Sequence, residues 1–226
     1  SSGGTTETAG ITVNVTPVAD TPVLTVFNNS AEVFRTGWET AANANNTSQP
    51  VAGPTLEGWT LMTAVDPFPQ NAQNFFEIWN ASTDTMANQA NNQSTFAMAS
   101  GNGNQAVELN NATNGTNPQT LGIERSVATV AGQVYTLSFD YAGRLGFSTD
   151  FTRIKVTVDG QVINFADTSS QTALDWRTLS FSFTGDGTNK VVRIETDPIQ
   201  VNAAGRGALI DDITLNHAQG AIAGNA

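Results

Sequence analysis

Apolar and polar residues alternate along most of this chain in short runs, the two-residue period of a half-buried β-strand. The runs Phe75 to Trp79, Ala106 to Asn110, Val134 to Tyr141, Ile154 to Val158, Arg177 to Phe183, Val191 to Glu195 and Ala208 to Leu215 predict strands. Gly, Asn, Asp and Pro separate them. Asp159-Gly160, set between Val158 and Gln161-Val162-Ile163, is a hairpin signal, because both residue types suit a two-residue turn. Asp186-Gly187 after Phe183 gives a second. One short helix is expected around Asp84 to Asn91. Regularly spaced strands with turn residues between them predict an all-β chain, a β-sandwich or jelly roll.

The alternation also divides the chain. Ile11 to Val15 reads as a strand that breaks at Thr16-Pro17-Val18-Ala19-Asp20-Thr21-Pro22, where two prolines favour stiff, extended backbone. Residues 1–22 are therefore expected to be an extended linker and the end of a preceding repeat. Residues 23–217 form the sandwich and 218–226 a small polar tail. The start at Ser1-Ser2-Gly3-Gly4 suggests an internal piece of something longer.

Charge then narrows the partners. Lys and Arg number 9 against 20 Asp and Glu, a net charge of −11. Nucleic acid and anionic lipid both require basic surface, so neither is expected. No apolar run is long enough to cross a membrane as a helix. Hard divalent cations, which take carboxylate and carbonyl oxygens, suit an acidic protein. Cysteine is absent, so neither disulfides nor a thiolate zinc site hold this fold.

Side-chain parity gathers a candidate ligand-binding set. In Tyr135 to Tyr141 the odd positions carry the apolar bulk, which leaves Ser138 and Asp140 on the other face with Arg144 just beyond. Val107 and Leu109 point inward and leave Glu108 and Asn110 outward; Phe76 and Ile78 do the same for Glu77 and Trp79. In one sheet, Glu77, Trp79, Glu108, Asn110, Asp140 and Arg144 would share an open face. An aromatic ring beside groups that fix orientation suits a sugar or short peptide. The same residues also fit an ordinary solvated face with a surface ion pair.

A second candidate site is a buried carboxylate. Asp211 falls in the parity row of Leu209, Ile213 and Leu215, where an isolated charge is costly unless paired or metal-bound. Carbonyls near Gly37, Gly205 and Gly207 would complete an oxygen-only calcium site, with Glu39 as the second carboxylate. Asp197 and Asp212 are further candidate ligands, or turn residues and surface charges. The competing reading has Asp211 capping backbone N–H groups, or turned outward by a bulge.

Five segments, taken together, resemble one family pattern. These are Gly37-Trp38-Glu39, Phe76 to Trp79, Gln105 to Asn110, Ala131 to Arg144 and Ala208 to Leu215. They resemble the carbohydrate-binding-module-like jelly rolls of LapA-type RTX bacterial adhesins, in order from about residue 33 to 216. Residues 1–22 resemble the junctions between tandem repeats of such adhesins. The resemblance implies structural Ca2+ near the chain ends, with Glu39 and Asp211 at the ligand positions and Trp38 in place of the usual Phe. It implies a secreted, cell-surface protein that attaches to glycans or exposed peptides on host, algal or neighbouring cells, beside adjacent adhesin domains. The Asn-rich stretch from Asp84 to Asn104 departs from the pattern. A plain stalk spacer rigidified by calcium is the rival reading. Catalysis is not expected: His217 is the only histidine and no nucleophile elbow is present, although Glu77 and Glu108 could in principle serve as a glycosidase pair.

Overall fold

The computed structural model describes residues 30–41, 49–52, 55–62, 75–112, 122–197 and 202–218. All lie within the unit 28–220. The strands run in sequence order β1 (Ser30–Thr36), β2 (Gln49–Ala52), β3 (Thr55–Leu56), β4 (Trp59–Met62), β5 (Phe75–Asn80), β6 (Met86–Ala87), β7 (Gln93–Ser94) and β8 (Gln105–Ala112). There follow β9 (Gly122–Ala128), β10 (Val134–Gly143), one helical turn α1 (Thr149–Thr152), β11 (Ile154–Val158), β12 (Gln161–Phe165), β13 (Arg177–Thr184), β14 (Asn189–Thr196) and β15 (Asn202–Ala218). Each strand expected from alternation within the described residues is present, and the one expected at Ile11 to Val15 lies outside them. The linker 1–22 and the tail beyond Ala218 lie outside the described residues.

Two antiparallel sheets result. The seven-stranded one runs β13-β10-β15-β8-β5-β2, and the other runs β12-β11-β14-β9-β4-β3. The long β15 holds β10 along one edge and β8, then β1, along the other. Between the sheets lies a core that includes Phe34, Trp38, Trp59, Phe76, Ile78, Leu109, Ile123, Tyr141, Ile154 and Ile210. Its two buried indoles have partners: Trp38 Nε1 donates to the Ile210 carbonyl at 3.1 Å and Trp59 Nε1 to Thr36 Oγ1 at 3.1 Å. Buried indole N–H groups without such partners would weaken the core.

Three local expectations separate here. Asp159-Gly160 does close a hairpin, with φ of 50° and 74° and Val158 paired with Gln161. Asp186-Gly187 does not, because β13 pairs with β10 while β14 pairs with β9 and β11 in the other sheet. That link instead lies against the turn before β10, through bonds from Gly132 N to Gly185 O and from Gly185 N to Gln133 O, each 2.8 Å. The helix expected at Asp84 to Asn91 is also absent. Residues 86–94 form the two-stranded ribbon β6–β7.

That ribbon belongs to a strap, residues 81–104, laid over the outer face of the seven-stranded sheet. Ile78 packs in the inter-sheet core while its neighbour Trp79 packs with Met86, Phe96, Ala106, Leu145 and Leu209 in a second cluster. Adjacent residues of one strand face opposite ways. The second cluster is therefore a small outer core, and the strap is its cover.

Candidate functional site

The site begins with a bulge in β15. Ser138 pairs with Thr214 but Asp140 pairs with Asp211, so Asp212 and Ile213 together oppose Phe139. Asp212 takes the left-handed conformation, with φ of 44°. The bulge switches parity along the strand. Ile210, Ile213 and Leu215 face the inter-sheet core, whereas Leu209 packs in the outer cluster and Asp211 shares the face of its pair-mate Asp140. The expectation that Asp211 lies in the row of Ile213 and Leu215 is thus incorrect. Its burial is nonetheless complete, at 0% exposed.

Asp211 forms the floor of a cleft of about 500 Å3. Its Oδ1 accepts from the Asp212 N–H at 2.6 Å, and its buried Oδ2 has no hydrogen-bond partner. Burial, reinforced by the negative charges of Asp212 and Asp140, pushes the carboxyl up to about 7 against the pull of the Asp212 amide and the Asn102 carboxamide. Around this floor stand Glu39 from the loop after β1, Glu57 from the β3–β4 turn, Asn102 and Gly103 from the end of the strap, and Asp212 with Arg35. Glu39 Oε1 accepts from the N–H groups of Asn104 and Gln105 at 2.5 and 2.8 Å. Glu57 accepts from Thr40 Oγ1 at 2.5 Å and from the Trp38 N–H at 3.3 Å. Asp140 accepts from Asn102 Nδ2 at 2.7 Å and from Thr178 Oγ1 at 2.6 Å. Arg35 Nε meets Asp212 Oδ1 at 2.5 Å.

Backbone strain concentrates at the same place. Five non-glycine residues have positive φ among those described, and Trp38, Glu57 and Asp212, at 60°, 49° and 44°, flank or line the cleft. Such conformations persist only where surrounding contacts enforce them, and they gather at ligand sites. Of the four expected metal ligands, the cleft brings together Glu39, Asp211 and Asp212. Asp197 is not among them; it sits beyond β14, where its N–H donates to the Arg153 carbonyl at 2.9 Å. Among the described residues no three His, Cys, Asp or Glu side chains form a metal-holding group by themselves. A cation here would draw on backbone carbonyls and water as well.

The six residues expected on an open face are divided by the structure. Trp79, Glu108 and Arg144 do come together, but under the strap. Glu108, 0% exposed, accepts from Trp79 Nε1 at 2.6 Å, Arg144 Nη1 at 2.5 Å and the Gly207 N–H at 2.8 Å. The Arg144 guanidinium lies 4.7 Å from the centre of the Trp79 ring and also donates to the Ala87 carbonyl of the strap. Charge pairing, satisfied donors and ring contact make this a closed polar knot. Glu77, opposite Glu108, is half-buried. The Asn110 side chain lies outside the described residues. Asp140 instead stands behind the cleft, paired with Asp211 and bonded to Asn102. The open face is therefore a covered one, because the strap supplies Met86 and Phe96 to the apolar side of Trp79.

A family described as proteins of unknown function, DUF642, has a model that matches residues 78–216. The chain belongs to the DUF642 family. No curated protein matches the sequence. Among solved structures, the CBM22-1 xylan-binding domain from Paenibacillus barcinonensis is 14% identical, with 85% of this chain and 97% of that one covered and a TM-score of 0.45. The K3 cleaved adhesin domain of Lys-gingipain from Porphyromonas gingivalis is 14% identical, with coverages of 83% and 98% and a TM-score of 0.45. A family 35 carbohydrate-binding module from Clostridium thermocellum is 18% identical, with coverages of 70% and 96% and a TM-score of 0.34. These structural neighbours are carbohydrate-binding modules and an adhesin domain.

The DUF642 match includes the Trp79 knot, Asn102, Asp140 and Asp211, and leaves Arg35, Glu39 and Glu57 outside it. Sequence reasoning missed Glu57, Asn102 and Arg35 as cleft residues. Two of them carried a local signal. Glu57-Gly58 between Leu56 and Trp59 is a turn dipeptide, and so is Asn102-Gly103. Arg35 had none.

Proposed function

We propose that this DUF642 protein is a secreted, calcium-dependent, lectin-like module of a bacterial surface adhesin, binding cell-surface glycans or exposed peptides in attachment. The observation that carries the calcium part is Asp211 Oδ2, an unpartnered carboxylate oxygen fully buried at the floor of an acidic cleft. Glu39 and Asp211 are the side chains that would hold the ion, with Asp212 beside them. The ion would offset the charges that Asp140, Asp211 and Asp212 impose on one another. The five-segment resemblance to RTX adhesin jelly rolls supports the attachment part.

One observation favours a second reading, a calcium-stiffened spacer. The aromatic ring expected to meet a ligand, Trp79, is only 5% exposed and sealed by the strap. Arrays of glycans and of short peptides, probed with the protein in calcium and again in chelator, separate the two. A ligand-binding module retains specific spots in calcium and loses them in chelator. A spacer gives no spots in either condition, and that result would overturn the binding role.

A further inference from the structure

The tip of the strap carries a chemistry that cation binding does not use. It reads Gly101-Asn102-Gly103-Asn104, and the second glycine lies close against Glu39: a β-carbon at Gly103 would meet the Glu39 carboxylate and force that side chain to shift. An Asn followed by Gly is unusually open to attack by the next backbone nitrogen on the carbonyl of its own side group, because no β-carbon crowds the five-membered ring that forms. Gly103 is exposed and Asn102 half-buried. The Asn102 carboxamide donates to Asp140 and lines the same cleft as Asp211.

We propose that Asn102 is a self-modification site, converting without an enzyme to an aspartyl residue and so adding a carboxylate to the cleft. The Gly103 nitrogen forms a bond to Asn102 Cγ. The Cγ–Nδ2 bond breaks, and ammonia leaves with the proton from the Gly103 N–H. Water, the sole co-reactant, then opens the cyclic imide. Breaking the bond between Cγ and the imide nitrogen gives Asp. Breaking the bond between the backbone carbonyl carbon and that nitrogen gives isoaspartate. Either product adds one negative charge at the cleft: in Asp it lies on Cγ, where the neutral amide now donates to Asp140, and in isoaspartate on the former main-chain carbonyl carbon of residue 102. The effect on calcium rests on the cation reading given above: more ligand charge tightens a calcium site. In the metal-free protein the same charge adds repulsion to an already crowded group.

The test begins with the intact protein, incubated in chelator at mildly alkaline pH beside a synthetic peptide spanning Ala99 to Ala106. Peptide-level mass spectrometry is expected to show NH exchanged for O at Asn102, with isoaspartate among the products and no change at that position in Asn102→Gln. An unchanged Asn102 after the peptide has converted fully overturns the modification. Calcium titration of Asn102→Asp is expected to lower the apparent Kd by about tenfold relative to the parent. An equal or higher Kd overturns the proposed consequence. A parent that takes up no calcium overturns the cation reading, and the mass measurement then decides the modification by itself.

Discussion

Replacing Asp211 with Asn keeps the shape of the residue and removes its charge. The wild-type carboxyl is held up at about 7 against an ordinary value of 3.8, first by burial and then by its acidic neighbours. A folded carboxyl that binds its proton more tightly than the unfolded one stabilises the protein at low pH. In the metal-free protein that contribution is complete below the ordinary value and fades as pH rises to the folded value. The gap between 3.8 and about 7 corresponds to about 4 kcal/mol. For a domain of this size the change in melting temperature is roughly 10 °C. Asp211→Asn removes this penalty while keeping an acceptor for the Asp212 N–H. In chelator at about pH 8 the variant is therefore expected to melt roughly 10 °C above the parent, and the two should converge near about pH 4. Added calcium should raise the parent and leave the variant unmoved, since only the parent keeps the ligand. Melting curves across pH, with and without calcium, measure all four conditions. A parent whose melting in chelator is flat between about pH 4 and about pH 8 would refute the buried-charge reasoning. Equal calcium stabilisation in both proteins would remove Asp211 from the site.

Three further substitutions probe the strap and its fastening. Trp79→Ala empties the outer core and removes a donor to Glu108, so denaturant unfolding should show a loss of about 3–5 kcal/mol; a loss under about 1 would mean the ring is not covered. Glu108→Ala leaves the Arg144 guanidinium buried without its carboxylate and should cost about 3–5 kcal/mol by the same assay, a near-neutral result counting against the closed knot. Gly103→Ala drives a methyl group into the Glu39 carboxylate, so hydrogen exchange at the Asn104 and Gln105 amides should quicken. Unchanged exchange would show that Glu39 does not hold the strap's end.

What the sequence revealed follows the range of the forces involved. Parity correctly set Phe76 and Ile78 against Glu77 and Trp79, because it depends only on the local pleat. It could not tell an outward face from an exposed one. The cover over Trp79 comes from Met86 and Phe96, and their segment mimicked a polar, Asn-rich insertion. Asp159-Gly160 was legible because both strands of its hairpin are neighbours in sequence. Asp186-Gly187 carries the same letters, but pairing across the sandwich sends its two strands to different sheets. Asp211 was found as a buried charge through a parity row that the bulge at Asp212 in fact breaks. Its true neighbours, Asp140 and Asn102, are brought near by β10 and the strap. Arg35 reached the cleft through the pairing of β1 with β15, which no short window contains.

That last pairing has a mechanical consequence. Ser30 lies opposite Ala218 and the ladder runs inward to Thr36 opposite Ile213. Tension applied at Ser30 and Ala218 would part these strands like a zip, loading one rung at a time instead of sharing the force along the row. The zip stops beside Asp212, where Glu39 stands in the loop that follows β1. An ion clasped by Glu39 and Asp211 would rivet the first strand to the last just where opening would otherwise run on into the core.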